Sequence, residues 1–206
     1  TPETTLSDNG STFRCIVSYT TNAATSNAAI LTVGDPNSQT PYLGVPFTVP
    51  GTIQAEDFDN GGDGIAYHDL DSPNQGGGYR TSGVDIQGTS DAGGGFNIGW
   101  TKAGEWLEYT VNVTSAGTYM IDTRVASAGN GGTFHVEFNG VDKTGALVIP
   151  NTNGWQTWQT VSKPGVSLSA GQQIMRLFLD AEGASGYVGN INNIQISAVG
   201  GGSEAP

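Results

Sequence analysis

Cysteine is nearly absent from this 206-residue chain: Cys15 stands alone, so no disulfide forms within it and the cysteine count does not report the redox compartment. Charge is scarce too, at 13% of residues, and it is lopsided, with 7 Lys and Arg against 19 Asp and Glu for a net charge of -12. Such a chain repels nucleic-acid phosphates and anionic lipid surfaces, which leaves neutral ligands and cations as partners. No apolar run approaches the roughly 20 residues of a membrane span. No leader peptide opens the chain, whose abrupt start reads as that of an excised fragment. Nor does any window carry a sustained helical period, so helices are not expected.

Glycine, by contrast, is abundant at 32 residues, more than double the usual share of about 7%. Short strands joined by turns account for such a composition. From Trp106 onward Leu107, Tyr109, Val111 and Val113 alternate with Glu108, Thr110 and Asn112, the period of a strand with one buried face. Further strands are predicted over 118–126, 133–139, 145–149, 155–162, 166–168, 173–180 and 190–197. Their inward residues include Tyr119, Ile121, Val125, Phe134, Val136, Phe138, Met175, Leu177, Leu179, Ile194 and Ile196. Turns at Ser115-Ala116-Gly117, Asn139-Gly140 and Ser169-Ala170-Gly171 supply the positive φ that hairpins need. The pattern predicts an all-β sandwich of the jelly-roll kind.

Ahead of it, FRCIVSYT and AAILTVG read as two strands. Asp8, Gly10, Phe13 and Cys15 resemble the signature near the end of an immunoglobulin-like domain, with its aromatic two residues before the cysteine. Residues 1–34 are therefore expected to be the C-terminal, two-stranded fragment of such a domain. Residues 35–50, with four prolines, are expected to form a linker, residues 51–198 the main domain, and 199–206 a glycine-rich tail or linker.

Two tryptophans stand where packing does not require them. Trp100 and Trp155 each follow a glycine in a loop, whereas Trp106 and Trp158 fall inside strand patterns and are expected to pack or to lie on a sheet surface. A second feature is chemical: Gln54 and Glu56, two apart, would share one side of a first strand and offer the hard oxygens that calcium takes. The acids Asp57, Asp59 and Asp63 lack the spacing of a calcium loop and are expected to be solvated. Glu105 and Glu108, three apart, face opposite ways and cannot form a glycosidase pair. His68 and His135 adjoin no nucleophile motif and are expected at the surface.

The blocks IQAEDFD, GIAYHDLDSPNQGGGYR, GVDI, NIGWTKAGEWLEYTVNV, AGTYMIDTRVAS, VIPNTNGWQTWQTV, LSAGQQIMRLFL and GNINNIQI resemble, in order, a family 6 carbohydrate-binding module. The resemblance implies a non-catalytic module that binds a neutral polysaccharide of β-glucan, xylan or agarose type. It implies an aromatic clamp of Trp100 and Trp155, with Asn190 hydrogen-bonding the sugar, and a structural Ca2+ held by Gln54, Glu56 and Asn192. It further implies a secreted, monomeric unit covalently attached to a glycoside hydrolase. The rival expectation is a structural or adhesion module without a glycan ligand.

Overall fold

Alternation of apolar and polar residues builds nearly all of this protein, and a computed structural model describes its residues 5–31 and 38–199. They fall into two units, Thr1–Ser38 and Gln39–Pro206. In the first, β1 (Thr12–Phe13) pairs antiparallel with β4 (Ala29–Ile30), and β2 (Ile16–Tyr19) with β3 (Asn22–Thr25). Four short strands thus replace the two expected, because Asn22–Thr25 folds back on Ile16–Tyr19 before the chain reaches Ala29. Residues 32–37 of this region and of the expected linker lie outside the described residues, as do 200–206 of the expected tail.

The second unit opens inside the expected linker. Thr40 bridges Asn60, and β5 (Phe47–Val49) pairs in parallel with the strand that starts at Trp106. Prolines flank β5 without interrupting it, which is why the composition disguised a strand. There follow β6 (Gly51–Gln54), a 3-10 turn at Ala55–Asp57, β7 (Tyr67–His68), β8 (Ile86–Gly88), β9 (Phe96–Ile98), β10 (Trp106–Val113), β11 (Gly117–Ser127) and β12 (Thr133–Phe138). The chain closes with β13 (Val141–Asp142), β14 (Leu147–Val148), β15 (Gly154–Leu168), β16 (Gly171–Ala181) and β17 (Asn190–Ala198). One sheet runs β13-β12-β16-β10-β5, with β14 on β12 and β7 on β10; the other runs β15-β11-β17-β9-β8, with β6 on β17.

The inner faces of the two sheets share one core, from Tyr109, Val111, Phe134, Val136 and Leu177 on one sheet to Ile53, Ile121, Val125, Ile194 and Ile196 on the other. Most of that core follows the period-2 reading. Asn139 and Gly140, at φ 51° and 74°, make the two-residue turn that pairs Phe138 with Val141, the twist-matched geometry of a tight hairpin. The expected break between 162 and 166 does not occur. β15 is continuous through Pro164 because it is the sheet's edge strand, where a missing N–H is tolerated, and the register shifts opposite this stretch, between Tyr119 and Ile121.

Outward positions are less solvated than simple alternation implies. Glu108 and Thr110 of β10 are buried: Arg176 Nη2 lies 2.6 Å from Glu108, and Thr110 donates to Asp59 at 2.5 Å.

Candidate functional site

Four segments meet at one end of the sandwich around a pocket of about 170 Å3 lined by Gln87, Trp100, Trp155, Tyr187 and Asn190. All five are uncharged. The loop after β9 reaches the pocket by a backbone route that needs little side chain. A Cβ on buried Gly99 would stand 3.0 Å from Asn190 Oδ1 and 3.3 Å from Gln87 Nε2, so glycine leaves both amides their room. Trp100 then takes a left-handed φ of 51°, a conformation that costs a bulky residue of the order of 1 kcal/mol.

Next, Thr101 zips this loop to the one entering β17. Its hydroxyl donates to Gly189 O at 2.6 Å and accepts from Gly189 N at 3.1 Å, while Val188 N donates to Thr101 O at 2.9 Å. Gly189 is required by close approach, since a Cβ there would lie 2.7 Å from Ile149 Cδ1.

Asn190, 3% exposed, completes the link by donating Nδ2 to Trp155 O at 2.6 Å. One amide hydrogen is spent in that bond; the other, and Oδ1, remain for a ligand. The strand bearing Trp155 is anchored through its neighbour Gln156, which accepts from Ser90 N at 2.8 Å and donates to Asn97 Oδ1 at 3.0 Å. Trp155 meets Tyr187 edge to face, with ring centres 6.0 Å apart at 86°.

The structure therefore brings the three expected residues, Trp100, Trp155 and Asn190, into one pocket and adds Gln87 and Tyr187. Tyr187 follows Gly186 in a loop, the same signal that singled out Trp100 and Trp155. Gln87 left no such signal, being one polar residue within a three-residue strand.

Trp106 and Trp158 lie away from this pocket. Trp106 carries the Arg176 guanidinium 4.5 Å from its ring centre, and Trp158 is half-buried within β15.

The three expected calcium donors lie on different elements, Gln54 at the end of β6, Glu56 in the turn after it and Asn192 in β17. Strand β6 ends at Gln54, which is exposed, and Glu56 lies in the following 3-10 turn, only 5% exposed; the shared strand face is thus a correction. Glu56 Oε1 accepts from Phe96 N at 3.3 Å, while Oε2 is buried with no hydrogen-bond partner. Burial above all pushes its pKa up to about 7. Asn192, also buried, donates Nδ2 to Asp91 at 2.9 Å. The Asp91 carboxylate is held by Arg124 through two bonds of 2.8 Å, and the Arg124 hydrogen bonds lower its pKa to about 2.

The loop acids are not simply solvated. Asp57 accepts from Tyr79 Oη at 2.6 Å, and Asp59, fully buried, accepts from Gln39 Nε2 at 2.9 Å and from Thr110. Only Asp63 is exposed, next to His68 at 3.0 Å. No group of three His, Cys, Asp or Glu among the described residues is placed to hold a metal.

His135 is likewise more covered than a surface histidine, set 2.7 Å from Asp180 and 3.2 Å from Glu137. Glu105 accepts from Lys102 N and Leu70 N at 2.8 and 3.2 Å, while burial pushes its pKa up to about 7. It shares a cavity of only about 10 Å3 with Asp85, room for no more than a water. Glu108 is tied to Arg176, so these carboxyls do not flank a sugar-sized cleft.

Residues 77–198 match the model of carbohydrate binding module family 6. A β-1,3-glucan-binding module from Bacillus halodurans is 31% identical, with a TM-score of 0.57, over 75% of this chain and 100% of that one. The module of Cellvibrio mixtus lichenase 5A in complex with cellotriose is 36% identical, with a TM-score of 0.55, over 74% and 99%. Among curated proteins, the clotting factor G alpha subunit of Tachypleus tridentatus is 33% identical over 59% of this chain, and the beta-agarase AgaA of Microbulbifer thermotolerans 35% identical over 34%. The aligned stretch spans only 17% and 16% of those two proteins. The sandwich, the end-on pocket and these matches together make the chain a member of family 6 of the non-catalytic carbohydrate-binding modules.

Proposed function

We propose that this module binds a neutral polysaccharide of the β-glucan, xylan or agarose type by taking a sugar ring between Trp100 and Trp155, with Asn190 and Gln87 hydrogen-bonding its hydroxyls. One observation carries the reading: aromatic faces and two amides converge on a single uncharged pocket. Pyranose rings present C–H faces that stack on indoles, while their hydroxyls need donors and acceptors at the edge. The lack of a formal charge in the lining disfavours an anionic sugar. Similar modules named for β-1,3-glucan binding and solved with cellotriose support the substrate class.

The setting is an extracellular one, where an insoluble polysaccharide is met, and the module acts as a monomer that holds an attached glycoside hydrolase near its substrate. Tethering then raises local concentration without any new contact. Residues 1–34 are proposed as the end of a neighbouring immunoglobulin-like domain. Depletion of the protein from solution by insoluble β-1,3-glucan, xylan, cellulose and agarose tests the reading. Retention on at least one is expected, and retention on none overturns it.

Calcium is a second part of the proposal. The buried, unpartnered Oε2 of Glu56 is the feature that fits it, since a hard cation satisfies a carboxylate oxygen that nothing else reaches. The turn bearing Glu56 packs on β17, where Asn192 would add an amide oxygen. Gln54 is a weaker candidate because its exposed side chain leaves the strand before the turn. When bound, the ion would pin the first strand's end to the last strand and take no part in sugar recognition.

A further inference from the structure

Lys102 lies two residues after Trp100, yet its side chain ends on the other loop of the pocket. Its Nζ donates to Gly186 O at 2.6 Å and stands 4.2 Å from the centre of the Tyr187 ring. We infer that Lys102 is a positioning residue for the sugar pocket, a strap that holds the Tyr187 ring in place as the wall beside Trp155.

The other links between these loops do not do this work. Thr101 fixes the backbone of Val188 and Gly189, and Gly183 N closes the turn on Tyr187 O at 2.8 Å. Neither touches the Tyr187 side chain, whose ring is held by the ammonium and by the edge contact with Trp155 at 6.0 Å. An ammonium bonded to a carbonyl and resting on an aromatic ring is a charge-assisted contact on both counts. Glu182, 3.9 Å from Nζ, is part-exposed, and such a pair contributes little and is screened by salt. The strap therefore acts through Gly186 and Tyr187, and it is insensitive to ionic strength.

The inference rests on the proposed glycan site, so its test reads the strap both with and without ligand. Lys102→Met, Lys102→Arg and Glu182→Gln are compared with the parent by titration calorimetry against cellohexaose and laminarihexaose. Acrylamide quenching of tryptophan fluorescence in the ligand-free proteins, and the thermal melt, complete the set.

Lys102→Met is expected to bind the better hexaose about tenfold more weakly and to expose its tryptophans to quencher, with a nearly unchanged melt. Lys102→Arg, which keeps a cation on the ring and a donor to the carbonyl, should restore both readings. Glu182→Gln, and roughly 0.5 M salt, should leave affinity within about twofold. Parent affinity in Lys102→Met, or failure of arginine to rescue, overturns the strap. If the parent binds neither hexaose, the quenching comparison alone decides: unaltered quenching in Lys102→Met overturns the strap, whatever the fate of the glycan reading.

Discussion

The Asn190 side-chain amide donates to the backbone carbonyl of Trp155 at 2.6 Å, so the residue expected to touch the sugar also fixes one of the rings. Asn190→Ala removes both contributions. Its glycan affinity should fall by about 1–3 kcal/mol, and the melt should fall by a few degrees because Trp155 O loses its partner. Calorimetry and a thermal scan check this; a loss of affinity without any loss of stability would show that the bond to Trp155 is unimportant.

Trp100 sits at φ 51°, a conformation that glycine takes freely and other residues take at a cost. The strain is expected to serve binding. Trp100→Gly should therefore lose glycan binding by at least about 30-fold while melting no lower than Trp100→Ala, which retains the left-handed strain without the ring. A Trp100→Gly variant that melts well below Trp100→Ala would mean that the φ is not strained in the folded protein.

Chelation tests the cation. Dialysis against excess chelator should lower the melting temperature, since an ion bound only by the native state stabilises by mass action. Glu56→Gln should abolish the response. A parent melt that is indifferent to chelator, or a Glu56→Gln melt that still responds, removes Glu56 as a ligand.

His135 carries a pH dependence. Burial draws its pKa down, but hydrogen bonds to Glu137 and Asp180 and the charges of Asp180 and Asp142 outweigh this, and the pKa is raised above 6.5. A raised imidazole stabilises fully below its unfolded value, and the contribution disappears as pH rises through the folded value. His135→Asn should accordingly lower the melt most near about pH 5.5 and least above about pH 8. An equal difference at both would show that His135 acts by packing on Phe178 alone, whose ring centre is 5.2 Å away.

The sheets were legible wherever one face met the core. Leu107 to Val113 and Phe134 to Phe138 gave their strands at once, and Asn139-Gly140 gave the hairpin. Less legible were segments whose composition and role disagree. Phe47–Val49 pairs in a sheet despite its prolines, and Ala55–Asp57 leaves the strand for a 3-10 turn just where the acids begin. In the pocket, the rule of an aromatic after a loop glycine found Trp100 and Trp155, and the same rule applied to Gly186-Tyr187 would have found the third ring. Gln87 and Lys102 escaped because their roles come from placement across the fold, Lys102 bonding Gly186 across 84 residues of sequence and Gln87 lining the same pocket as Asn190, which no local spacing encodes.

Titration of the parent and of Trp155→Ala with hexaoses of the β-1,3-glucan, β-1,4-glucan, xylan and agarose series tests the clamp most directly. The account predicts one site on the parent, with a Kd of about 10–100 μM for at least one series. It predicts a loss of about 30-fold or more in Trp155→Ala, with the thermal melt nearly unchanged, because the half-exposed indole is no part of the core. A Trp155→Ala protein that binds the same hexaose as tightly as the parent would contradict it.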